Sequence, residues 1–244
     1  MTWDQNQGVG GINMSETGKR FLWVSAYAMA MAFVEAAVVV YIRGLLHITN
    51  DHVSLGPYVR METWREAATI VMLVAVGWMA GRRGPDRLAY GLFAFGLWDI
   101  WYYVWLKVLI GWPETLLDWD TLFLIPLPWW GPVLSPVLIA ALLCVTAILS
   151  EMRMERGKRL DITSTRVGAV LLGGLLALYV FMSDSLHALL GGRLDWATLR
   201  PESFKWPLFL VALALMALPS LMTTWPGPRN VTASEVSAQF PESR

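Results

Sequence analysis

Six stretches of about twenty predominantly apolar residues, each bounded by charge or by Gly and Pro, dominate this chain, and a helix of that length crosses a hydrocarbon core roughly 30 Å thick. They run from Phe21 to Leu46, Glu62 to Ala80, Leu88 to Ile110, Pro132 to Ser150, Val167 to Leu190 and Phe204 to Met222. Lipid offers no partner for a backbone N–H or C=O, so runs of this kind predict helices, which satisfy those groups internally. The expected fold is an all-α integral membrane protein with about six transmembrane helices. Its expected parts are a cytoplasmic N-terminal segment over 1–20, a six-helix transmembrane domain over 21–222 and a cytoplasmic, disordered tail over 223–244. Of 244 residues, 56% are hydrophobic and 16% charged, an apolar excess larger than one soluble core absorbs. Pro136 lies near the start of the fourth run, and Pro219 is expected to end the sixth.

Orientation follows from Lys and Arg, because short loops rich in them stay in the cytoplasm. Lys19 and Arg20 precede the first run; Arg82, Arg83 and Arg87 fill the second connection; Arg153, Arg156, Lys158, Arg159 and Arg166 fill the fourth. The third connection, with Glu114, Asp118 and Asp120, has none, and the first and fifth carry mixed charge. Both termini are therefore expected on the cytoplasmic side. No small-residue cleavage pattern follows the first run, which predicts a retained span rather than a signal peptide. Trp64, Trp101, Trp105, Trp112, Trp119, Trp129, Trp130, Trp196 and Trp206 fall toward the outward end, as expected of an interfacial belt. The segment Leu122 to Trp130, reading LFLIPLPWW, is apolar but too short and proline-broken to cross, and is expected to be interfacial or re-entrant on the outer face. The stretches FVEAAVVVYIR, WREAATIVM and WDIWYYVWLK resemble those of bacterial multipass proteins, which implies a bacterial-type inner (plasma) membrane.

Formal net charge is zero, so nothing points to nucleic acid as a partner; the partner expected is the lipid bilayer, with a second copy or a larger membrane complex left open. The single cysteine, Cys144, excludes an intrachain disulfide and any CxxC site.

A carboxylate in mid-membrane costs about 2.5–3.5 kcal/mol on insertion scales, so each requires a partner, a proton, an ion or water. Glu35 lies on the order of 21 Å into the first run and Asp99 on the order of 16 Å into the third, at about 1.5 Å per residue. Glu66 is a shallower third acid in the second. These three are the candidate ion, proton or metal-binding residues. Asp99, Tyr102, Tyr103 and Lys107 follow helical spacing and are expected to form a polar stripe toward the outer surface. Arg43, Arg65, Asp184 and His187 are supporting candidates, and His47 and His52 lie in the first outward connection. Ala28, Ala32 and Ala36 around Glu35 invite close approach of a neighbouring helix. The competing structural reading pairs Asp99 or Glu66 with Arg43, Arg65 or Lys107 and gives them only a packing role, while Lys107 by itself snorkels to headgroups.

Three functions use such acids. Proton or cation handling from the outward side needs only deep carboxylates. A metal-dependent or acid/base enzyme acting on a lipid or isoprenoid would use Glu35, Glu66, Asp99 and His187 around a divalent metal, although HExxH, ExxH and HxxxH spacings are absent. A subunit or assembly factor of a larger membrane complex would use the aromatic and small-residue faces for docking. The first is the leading expectation.

Overall fold

The computed structural model describes residues 14–45, 59–192 and 203–224. The histidines at 47 and 52, Trp196 and the tail beyond 224 lie outside the described residues. Helix α1 spans Glu16–Leu45, α2 Val59–Ala80 and α3 Gly84–Ile110; strands β1 (Trp119–Phe123) and β2 (Trp129–Pro132) follow, then α4 (Leu134–Glu155), α5 (Ser164–Leu190) and α6 (Trp206–Thr224). All six apolar runs are helical. Most helices outrun their apolar run at the charged end, because polarity does not break a helix. Gly111, at φ 73°, ends α3, and Gly157, at φ 69°, follows α4, both in the left-handed region that glycine adopts without strain.

Among the described residues, five helices are long and apolar enough to cross a membrane: α1, α3, α4, α5 and α6. Helix α2 carries Arg60, Glu62, Arg65 and Glu66 in its first two turns, yet its far end lies backbone to backbone against α3. Pro219 does not end α6, contrary to expectation: the helix continues to Thr224. Proline removes the one N–H that would bond the Leu215 carbonyl, a single loss within the last turns, and the Thr223 hydroxyl donates to the Pro219 carbonyl at 2.8 Å. Pro136 sits in the first turn of α4, where no intrahelical donor is needed.

The helices alternate in direction. Phe21 of α1 meets Tyr90 and Phe93 of α3, while Trp105 Nε1 donates to the Met29 carbonyl at 3.0 Å, so α1 and α3 run parallel. Gly77 against Gly91, and Gly96 against Ala140 and Cys144, place α2 and α4 antiparallel to α3. Phe181 against Phe209, with Gly173 against Ala212, does the same for α5 and α6. At one end Asp161 N–H donates to the Thr223 carbonyl at 3.4 Å and Arg153 to that of Thr224 at 3.3 Å. The connections rich in Lys and Arg therefore gather at a single end, the end that the charge rule assigns to the cytoplasm.

Close approach depends on glycine at a few points. A Cβ on Gly96 would lie 2.5 Å from the Ala140 carbonyl oxygen and 2.8 Å from Cys144 Sγ. Gly96→Ala is expected to push α4 off α3 and cost about 1–3 kcal/mol, read as a lowered Tm in detergent. Gly174→Ala, where a Cβ meets nothing within 4 Å, should leave the Tm within the error or raise it slightly.

The LFLIPLPWW segment forms a two-stranded antiparallel hairpin, pairing Trp119 with Pro132 and Thr121 with Trp130, with a register shift between Thr121 and Phe123. It wedges among the helices at the end opposite the basic loops. Phe123 packs on Trp98 of α3, Trp129 stacks parallel to Phe181 of α5 at 6.3 Å, and the Ser185 hydroxyl donates to the Pro128 carbonyl at 2.7 Å. Trp130 is buried and Trp129 half-buried against Phe123 and Phe181, whereas Trp64 is 74% exposed.

Candidate functional site

Each deep acid receives a different treatment. Glu35 of α1 is paired: Arg65 of α2 donates from Nη1 to its Oε1, and the Thr69 hydroxyl donates to Oε2 at 3.2 Å. Arg65 also holds Glu62, one turn earlier on its own helix, through Nε at 2.5 Å. One guanidinium therefore neutralises part of the charge of two carboxylates and forms the main polar link between α1 and α2. Ala28, Ala32 and Ala36, all fully buried, let α3 lie close against the rest of that face. Of the partner, proton, ion or water that its depth requires, Glu35 has a partner, the arginine that reaches from the next helix.

Glu66 is 6% exposed and faces the hairpin. The Leu124 N–H donates to both of its carboxylate oxygens at 3.0 Å. Position 124 lies beyond the last residue of β1, so its N–H has no strand partner, and the carboxylate of α2 supplies one. Glu66 pins the hairpin to the bundle.

Asp99 is 9% exposed, and among the described residues it makes no hydrogen bond or ion pair. It lies within electrostatic reach of a second carboxylate, Asp120 of β1, and of the Cys144 thiol on α4. Tyr103, four residues on and on the same face of α3, donates its hydroxyl to Asp120 Oδ2 at 3.1 Å. Tyr102 lies edge-on to Tyr103 at 5.1 Å, within reach of Glu35, Arg43, Arg65 and Asp120. Arg43 sits over the Trp112 ring at 4.7 Å, where the cation is attracted to the ring face, and adds positive potential at Asp120. Burial pushes the Asp120 carboxyl up to about 6, against the opposing pull of Arg43, of the Tyr103 hydrogen bond and of the Thr121 N–H.

Of the four residues expected to form a polar stripe, Asp99 and Tyr103 stand near Asp120 and Tyr102 lies against Tyr103, while Lys107 bonds elsewhere. Lys107 turns away to donate to the Gly111 and Pro113 carbonyls at 3.0 and 2.8 Å, closing the end of α3. Asp184 pairs loosely with Lys205, at 3.6 Å, and His187 is exposed. The ligand set of the metal reading is not assembled: Glu35 is held by Arg65, Glu66 by Leu124, and His187 points away. Among the described residues no three His, Cys, Asp or Glu side chains come together as a metal would require.

Two residues of the site, Asp120 and Glu62, are missing from the sequence-based candidates. Asp120 reads there as a loop acid, and only the hairpin carries it back to Tyr103. Glu62 looks like a helix-end residue until Arg65 turns to it. The usable signal for Asp120 was the alternation Trp119, Thr121, Phe123 around it, with a proline-broken apolar stretch next in line. Comparison of the chain with protein families, with curated proteins and with solved structures finds no match.

Proposed function

We propose that this multi-pass membrane protein takes up a proton from the outward side at a carboxyl pair, Asp99 and Asp120, bridged by Tyr103, as a proton-coupled transporter would. The single observation that supports it is Asp99, a buried acid that has no hydrogen-bond donor among the described residues and stands beside a second carboxylate. Two like charges in such a place are expensive, and one shared proton removes most of the expense. A neutral acid also gains an O–H donor, which the pair otherwise draws only from Tyr103 and the Thr121 backbone. Glu35, Glu62, Arg65 and Glu66 form the supporting frame, since their charges are already met by an arginine and a backbone N–H. A bacterial-type plasma membrane, where outward protons are driven inward, suits this role.

The test is a proton count on the detergent-purified full chain between about pH 8 and about pH 5, where ordinary carboxylates stay ionised. Wild type is expected to take up about one proton per chain more than the double variant Asp99→Asn with Asp120→Asn, since either acid alone can hold the proton. Superimposable curves for wild type and the double variant would remove the basis of the proposal.

A further inference from the structure

Near the basic end of the bundle, α4 buries an acid of its own. Ala140, Cys144, Ala147 and Glu151 recur at spacings of three and four on the face of α4 that meets α3, where Cys144 Sγ lies 3.8 Å from the Phe93 carbonyl. Glu151 is 5% exposed, and its Oε1 is buried with no hydrogen-bond partner. The Tyr90 hydroxyl of α3 is fully buried and equally unpartnered. The two stand at the margin of hydrogen-bonding distance, beyond a fully formed bond, and Arg20 of α1 reaches the same hydroxyl; Asp86 of α3 and Glu155 of α4 are the other charged neighbours. No ion pair joins Arg20 to Glu151 among the described residues.

An ionised Glu151 can accept from the Tyr90 hydroxyl but keeps a charge buried beside Asp86 and Glu155. A neutral acid makes the same bond, as donor or acceptor, and the buried charge disappears. A divalent cation is the poorer occupant, because it asks for six or so oxygen ligands and would sit beside the Arg20 guanidinium. The geometry points to Glu151, partnered by Tyr90, as a second proton-binding site at the cytoplasmic end of the α3 and α4 pair, so that a carboxyl site stands at each end of that pair. The pairing of the two sites rests on the reading of Asp99 and Asp120 given above; the Glu151 site stands by its own geometry.

Infrared difference spectra of the full chain in lipid nanodiscs, recorded as the pH is stepped, separate the two. Wild type is expected to show two carbonyl bands of protonated carboxyls. Glu151→Gln should remove one band and the double variant Asp99→Asn with Asp120→Asn the other, and Tyr90→Phe, which keeps the acid should Glu151→Gln fold poorly, should shift the Glu151 band to higher frequency. If Glu151→Gln leaves every pH-dependent band in place, or Tyr90→Phe leaves the Glu151 band unmoved, the inner site is overturned while a loss in the double variant still supports the outer one. If Glu151→Gln removes a band and the double variant removes none, the inner site holds and the outer reading fails.

Discussion

Replacing Arg65 with Gln is expected to destabilise the protein by about 3–5 kcal/mol, because it strands Glu35 and Glu62 as buried carboxylates without their shared cation. The loss arises less from the pair's own attraction than from the charge left behind. The double variant Arg65→Gln with Glu35→Gln should therefore recover a large part of the stability, since Gln at 35 carries no charge and can still accept from Thr69. Chemical unfolding in detergent, followed by intrinsic fluorescence of the tryptophans, provides the measurement. A double variant no more stable than Arg65→Gln alone would place the effect in lost packing between α1 and α2 instead.

Acidic pH is expected to stabilise the fold around Asp120, opposite to the behaviour of an ordinary salt-bridged carboxylate. Its ordinary value is 3.8 and the folded protein raises it to about 6, so between those values the folded chain binds the proton and the unfolded chain does not. Stability contributed by the group is complete below the unfolded value and is lost as the pH climbs through the folded one. A shift of this size corresponds to at most about 3 kcal/mol, at about 1.4 kcal/mol per unit. Wild type should show unfolding midpoints that fall from about pH 4 to about pH 6, and Asp120→Asn should flatten that slope. A slope unchanged in Asp120→Asn would mean that another acid carries it. Tyr103→Phe offers a finer check: without the donated hydrogen bond the carboxylate is less favoured, and the slope should extend to higher pH.

The acids divide into those whose fate could be read in sequence and those whose fate could not. Depth of insertion is a property of position along a helix, so Glu35, Glu66 and Asp99 stand out as costly before any contact is known. Which of them is neutralised depends on what other helices bring. Arg65 follows Glu35 by thirty residues, and nothing in local spacing says that it reaches across to α1. Glu66 meets a backbone N–H, which no side-chain inventory records. Asp99 alone keeps the isolation its depth suggests, and its neighbour Asp120 comes from a strand. Lys107 shows the converse: helical spacing puts it on the stripe, but a long flexible side chain next to a helix end bonds the free carbonyls there.

The sequence by itself determined the solvent and the elements. Apolar length makes helices that lipid demands, basic residues at alternate connections gather at one end, and glycine follows α3 and α4, because all of these act over a few residues or through a uniform medium. Only the tertiary structure decided that the short apolar segment closes as a hairpin between α3 and α5, that one arginine holds two acids, and that Asp99 meets Asp120 while Glu151 meets Tyr90. Those outcomes depend on which faces lie opposite one another, and the facing of two helices is set by packing across the bundle. The apolar period of a single run is nearly uniform around its axis and does not say which side will meet protein.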